Sequence, residues 1–273
     1  MSVGSSSCQY ALGSTGEEHE RLIWQAERLA PLTERLFREA GIGPGQRVLD
    51  VGSGVGDVAM LVSRLVGPAG EVVGIERDPR SIARARVRVG EAGLPNVSFI
   101  ESDVSEIREC KLFDAAVGRF ILGWLPDPVS VLRSLSLLVR PGGVVAFQES
   151  GWAPVLSLFQ PLPLWSSVAS LFYQACHKSG ADLELGYALY HVFQEAGLPG
   201  PAMRLEVPLG NGPDAAQWFT DILRSLWPVI QRFNLANEFV GNLDTLSQRL
   251  LAEVEVSKSV VAWMAPVGAW ARK

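Results

Sequence analysis

The 273-residue sequence has only three cysteines, Cys8, Cys110 and Cys176, far apart and with no CxxC or Cys/His ligand spacing. That argues against a disulfide framework and leaves reduced thiols and no metal site as the expectation. It has only three histidines, His19, His177 and His191, so the search for an imidazole base is short. It has no run of about 18 consecutive apolar residues, which excludes a spanning helix. Met1 to Gln9 lack the basic residues and apolar run of a signal peptide, so a cytoplasmic chain without a membrane partner is expected. It has no excess of basic charge either: 24 Lys and Arg against 29 Asp and Glu give a net charge of -5 and a pI near 5.4. Such a chain is a poor match for a polyanion, so nucleic acid is disfavoured. Arg84, Arg86 and Arg88 alternate and spread around a helix as a solvated face. No internal repeat and no long linker appears.

What is present is a globular composition, 48% hydrophobic and 19% charged. Apolar residues from Leu22 to Phe37 recur at helical spacing, and Pro31 predicts two helices or one kinked helix. Short apolar runs at 47–51, 71–75, 97–101, 113–118 and 144–148 read as strands, with helices over about 56–66, 79–93 and 128–139 between them. Near-continuous apolar strands alternating with helices imply a parallel sheet covered on both faces, in a doubly wound α/β arrangement. After residue 150 helices are expected over about 165–179, 184–196, 214–233 and 243–257. Strands are expected at about 203–209 and 260–271, the latter with a turn at Gly268. The reading is one domain over 1–273: a helical arm at 1–45, a cofactor-binding core at 46–150, and cap helices with the final strands at 151–273.

The sharpest signal is Val48-Leu49-Asp50-Val51-Gly52-Ser53-Gly54-Val55-Gly56, between a strand and a helix. Glycines there permit close ligand approach, and the helix N-terminus offers free N–H groups to an anion. A dinucleotide site prefers G-x-G-x-x-G. The spacing here is G-x-G-x-G, and Asp50 precedes it. A carboxylate repels a pyrophosphate and attracts an amine, so the pattern favours a ligand such as S-adenosylmethionine, with an amine and a carboxylate together. Glu76, followed by Arg77, ends the second strand, where an acid accepts ribose hydroxyls. Asp103 ends the third strand, where it can accept from an adenine amine while the Val104 N–H meets a ring nitrogen.

Residues 47–150 thereby resemble the core of the class I S-adenosylmethionine-dependent methyltransferases, with the Arg140-Pro141-Gly142-Gly143 turn as a further match. The resemblance implies a mostly parallel seven-stranded sheet whose last two strands form an antiparallel pair. It also implies that Gly52, Gly54 and Gly56 line the methionine moiety, Glu76 the ribose and Asp103 the adenine, with Arg119 beside the transferable methyl. Tyr10 and Trp24, in an arm similar to that of bacterial members, are candidate lid residues.

Methyl transfer is an in-line displacement that rests on positioning and water exclusion. A base helps where the acceptor is a hydroxyl. His177, then His191 and His19, are the candidates for that role, and Glu149 after the fifth strand can orient an acceptor. Trp124 and Trp152 are candidate substrate-facing aromatics, and an apolar or aromatic small molecule is the expected substrate. A nicotinamide-dependent oxidoreductase and a cofactor-binding protein without methyl transfer are the alternatives. The apolar cap and arm leave a homodimer open.

Overall fold

Five of the apolar runs form the parallel part of one sheet: Arg47–Val51 (β1), Glu71–Glu76 (β2), Val97–Glu101 (β3), Phe113–Arg119 (β4) and Val139–Ser150 (β5). The structure is a computed structural model and describes residues 13, 15–107, 111–235 and 239–273. The late strands are shorter than the sequence suggests. The 203–209 run divides into Ala202–Leu205 (β6) and Leu209–Gly210 (β7), because Pro208 has no N–H to continue a ladder. The 260–271 run divides into Val261–Ala262 (β8) and Pro266–Arg272 (β9). The sheet order is β3-β2-β1-β4-β5-β9-β6, with β9 antiparallel to both its neighbours, while β7 and β8 pair separately. Gly268 is not at a turn. It lies inside β9, where a Cβ would meet Leu36 Cδ1 at 2.5 Å, so its missing side chain lets the N-terminal helix pack closely.

That helix, Gly16–Ala40 (α1), is continuous through Pro31. Pro31 and Glu27, whose carbonyl it frees, lie on the solvent side, while Leu29, Thr33, Leu36 and Phe37 are buried. Burial of this face, about 2 kcal/mol for a large apolar side chain, outweighs the lost hydrogen bond. Asp57–Val66 (α2) and Pro79–Glu91 (α3) cover the same sheet face as the second half of α1. Pro128–Leu138 (α4) covers the other face.

Beyond β5 come Ala153–Phe159 (α5), Pro163–Lys178 (α6), Leu185–Glu195 (α7), Pro213–Arg232 (α8) and Leu246–Ser257 (α9). The sequence assigns all the late helices to a cap, but α7 belongs to the sheet layer. Its Leu185, Leu189, Val192 and Phe193 pack beside α4 against β5 and β9. The others form a separate aromatic core in which Trp152, Phe172 and Trp218 lie with ring centroids 4.8, 5.3 and 5.7 Å apart. Such ring pairs add about 0.5–1.5 kcal/mol each beyond their buried area. No described helix is long and apolar enough to cross a membrane.

Candidate functional site

The chain reverses direction across the sheet between β1 and β4, and clefts at that switch point lie beyond the carboxyl ends of the strands. A cavity of about 620 Å³ opens there. The loop after β1 forms one end, with Gly52, Gly54 and Gly56 all at positive φ (66, 51 and 88°). A Cβ at Gly54 would meet nothing within 4 Å, so the backbone is bare towards the cavity. Gly56 caps α2 with no side-chain bond and does not line the cavity, since a Cβ there would meet Phe99 and Ala85 at 3.1 and 3.2 Å.

Glu76, at the tip of β2, ties this loop to its neighbour. Oε2 accepts the Gly54 N–H at 3.0 Å, and Oε1 accepts those of Arg77 and Asp78 at 2.8 and 2.9 Å. Glu76, Arg77, Ser53, Asp103 and Val104 all line the cavity. Asp50 does not. It is 1% exposed on the face of β1 that packs against α1 and α2, and neither oxygen accepts a full hydrogen bond. Burial pushes its carboxyl up from 3.8 to about 7, with the Arg119 guanidinium and the Ala59 amide offsetting part of that. Asp50 is therefore buried behind the loop and is not a wall residue. The Ser53 hydroxyl is likewise enclosed and unpartnered.

Arg119, which ends β4, lines the cavity and donates to Thr33 Oγ1 at 3.1 Å, and that hydroxyl donates to Gln148 Oε1 at 2.7 Å. Burial lowers the Arg119 guanidinium below its usual range. The next residue, Phe120, sits at φ 54°, a conformation that costs a side-chain-bearing residue about 1–2 kcal/mol and redirects the chain. The short turn Leu122–Trp124 follows, clamped by Glu149. Oε1 accepts the Ile121 and Leu122 N–H groups at 3.0 and 2.9 Å, and Oε2 accepts that of Gly123 at 3.4 Å. Glu149 is 2% exposed and lines the cavity. Desolvation raises its carboxyl from 4.5 to about 7 against the pull of those three amides. On the far side, Asp182 N–H donates to Gly123 O at 2.7 Å, an approach only glycine allows, since a Cβ would stand 2.5 Å from Asp182 O.

The other end of the cavity is mostly apolar. Trp124, Trp152, Phe172 and Trp218 line it, with Cys176, whose thiol burial pushes well above its ordinary range. Two polar residues that sequence reasoning passed over, Arg21 and Gln25, stand on the same wall. Their signal is a charged and an amide side chain four apart within the apolar stripe of α1.

The histidine expectation needs correcting. His177 and His191 are exposed on α6 and α7 and do not line the cavity, because both lie on the solvent faces of their helices. His19 is buried against Ser81, its Nε2 3.3 Å from the Ser81 hydroxyl, and joins α1 to α3 outside the cavity wall. Trp24 is not on the wall either: it packs edge-on to Trp263 at 5.8 Å and under the Arg28 guanidinium at 3.6 Å. Tyr10 lies outside the described residues, as do Cys8 and Cys110. Among the described residues no group of three His, Cys, Asp or Glu side chains is arranged to hold a metal ion.

Comparison with known proteins converges on one family. Residues 42–197, more than half of the chain, match the methyltransferase-domain family. A demethylmenaquinone methyltransferase of Staphylococcus aureus is 30% identical over 130 residues, which cover 47% of this chain and 53% of that protein. The chain thus spans about half the length of the curated relatives it matches. Among solved structures, a phosphoethanolamine N-methyltransferase of Haemonchus contortus, in complex with phosphomonomethylethanolamine and S-adenosylhomocysteine, is 17% identical. It superimposes with a TM-score of 0.55 over 89% of this chain and 52% of that one. The [4+2]-cyclase SpnF is 20% identical, with a TM-score of 0.54 over 89% and 81% of the two chains. These two likenesses establish the fold.

Proposed function

The chain belongs to the methyltransferase-domain family of class I S-adenosylmethionine-dependent methyltransferases, and from that premise we propose that it methylates a small apolar or aromatic acceptor. The observation that carries this reading is the bare glycine loop whose Gly54 amide is held by Glu76, opening into a cavity with an apolar far end. The residues fit the cofactor. Gly54 leaves space that a Cβ would fill, Glu76 retains lone pairs beyond its three amide contacts, and Asp103 and Val104 stand at the tip of β3.

When bound, S-adenosylmethionine supplies a methyl group on a cationic sulfur. The protein's part is to hold and exclude. Gly52–Gly56 and Arg119 receive the methionine end, with Asp50 as negative charge behind the loop. Glu76 takes the ribose hydroxyls, and Asp103 with Val104 the adenine. Trp124, Trp152, Phe172 and Trp218 remove water from the acceptor's side, where positioning alone lowers the barrier. Glu149 fixes the Leu122–Trp124 turn between the two halves. Core and cap act as one catalytic unit, because both supply residues to the cavity wall. The relatives named as demethylmenaquinone methyltransferases support a ring-bearing acceptor.

Calorimetric titration with S-adenosylhomocysteine, NAD and NADP tests the reading. Micromolar binding of the first with silence from the nicotinamides is expected. Binding of a nicotinamide instead would overturn it. Detection of a methylated product then separates transfer from mere cofactor binding.

A further inference from the structure

Gln25 stands where α1 meets α8, 7% exposed and on the cavity wall. Its amide oxygen receives two donors, the Arg21 guanidinium Nη1 and the Trp218 indole Nε1, each at 2.7 Å. Only an oxygen can take both, since a nitrogen there would face donor with donor. Arg21 is fixed in turn. It forms a paired bridge to Glu18 at 2.6 and 2.8 Å, and Glu18 also accepts from the Ser225 hydroxyl at 2.7 Å. The amide of Gln25 is therefore locked in one orientation by a buried network.

Its Nε2 faces the other way. Among the described residues no acceptor meets that nitrogen, and it is not one of the fully enclosed side-chain atoms that lack a hydrogen bond. A held, partnerless N–H donor thus borders the cavity, beside the rings of Trp152, Phe172 and Trp218. Apolar sites obtain orientation and specificity from a few such polar groups, and a buried donor left unmatched disfavours ligands that cannot satisfy it.

We infer that Gln25 is a specificity-determining residue, and that the acceptor is a flat, mostly apolar molecule whose carbonyl or phenolic oxygen takes the Gln25 Nε2 hydrogen bond. This rests on the methyl-transfer reading for naming the ligand an acceptor. The geometry of the donor is independent of that reading.

The test uses the full chain loaded with S-adenosylhomocysteine and three bicyclic probes of one shape: 1-tetralone, tetralin and 1-aminotetralin. The wild type binds 1-tetralone about tenfold tighter than tetralin, the scale of one hydrogen bond made in a dry site. Gln25→Leu equalises the two. Gln25→Glu keeps an oxygen for Arg21 and Trp218 but replaces the donor by an acceptor, so it loses the tetralone preference and binds 1-aminotetralin best. Equal affinities in the wild type, no binding of either probe, or a preference that survives both substitutions would overturn the inference. S-adenosylhomocysteine is titrated into the same samples. If it binds normally while the probes fail, only this inference falls. If it does not bind, the cofactor reading falls instead.

Discussion

Glu149 accepts the Leu122 backbone N–H at 2.9 Å across the gap between the ends of β5 and β4. With the amides of Ile121 and Gly123 it makes one buried carboxyl the clamp of the whole turn beside Arg119. Glu149→Ala frees three amides and lets the turn shift, and a shift of about 1 Å costs a positioning enzyme roughly a hundredfold in rate. Glu149→Gln retains one acceptor oxygen and should lose much less. Steady-state turnover, read as S-adenosylhomocysteine release, checks the order of the two variants. Equal losses would mean that Glu149 does not clamp the turn.

Two buried carboxyls contribute a pH-dependent part of the stability of the ligand-free protein. Asp50 and Glu149 rise from 3.8 and 4.5 to about 7 on folding. Between roughly pH 4 and 7 these two groups keep protons in the folded chain that the unfolded chain has released, so their contribution to stability falls as pH rises through that window and levels off above it. The stabilising contribution is complete below the unfolded values and gone above about 7. Every tenfold gain in a carboxyl's proton affinity on folding corresponds to about 1.4 kcal/mol. Asp50→Asn should therefore gain on the wild type in going from pH 5 to pH 8, as denaturant titrations at the two values will read. A constant difference between the two proteins would mean that Asp50 does not titrate there.

The parts of this site that were legible in the sequence are those set by local backbone demands. The Gly52–Gly56 loop declares itself because its three glycines sit at positive φ between a strand and a helix. Glu76 and Asp103 are legible because β2 and β3 end there. The rest depends on which face a residue takes, and spacing alone does not give that. Asp50 shares a face with Val48 and so packs towards α1 and α2 and does not line the cavity. The helix Leu185–Glu195 has an apolar stripe that suits a cap or a sheet layer equally, and α4 decides between them. Gln25 hides within an apolar periodicity, and its partner Trp218 is 193 residues away. Gly268 reads as a turn signal until Leu36 is seen against it.

The exposed histidines give a simple control. His177 and His191 lie outside the cavity lining, on the solvent faces of their helices. Alanine at either position should leave turnover within about a factor of two and stability within about 0.5 kcal/mol, as for other surface substitutions. A hundredfold loss of turnover in either variant, with the melting temperature unchanged, would reinstate an imidazole base and require a different pose for the acceptor.

Gly54 offers the cleanest separation of folding from binding. A Cβ there meets no atom beyond its chain neighbours within 4 Å, so the first carbon of the Gly54→Val side chain has open space in the unliganded fold. Its positive φ of 51° makes the substitution cost about 1–2 kcal/mol in backbone strain, which a domain of ordinary stability survives. The isopropyl group instead fills the space over the bare loop, where the ligand must approach the backbone held by Glu76. Circular dichroism should show a native spectrum with a modestly lowered melting temperature. Calorimetry should show S-adenosylhomocysteine affinity reduced by two orders of magnitude or more, about 2.7 kcal/mol at a hundredfold. Native affinity in a folded Gly54→Val protein would place the ligand elsewhere in the cavity and detach the glycine loop from its assigned role.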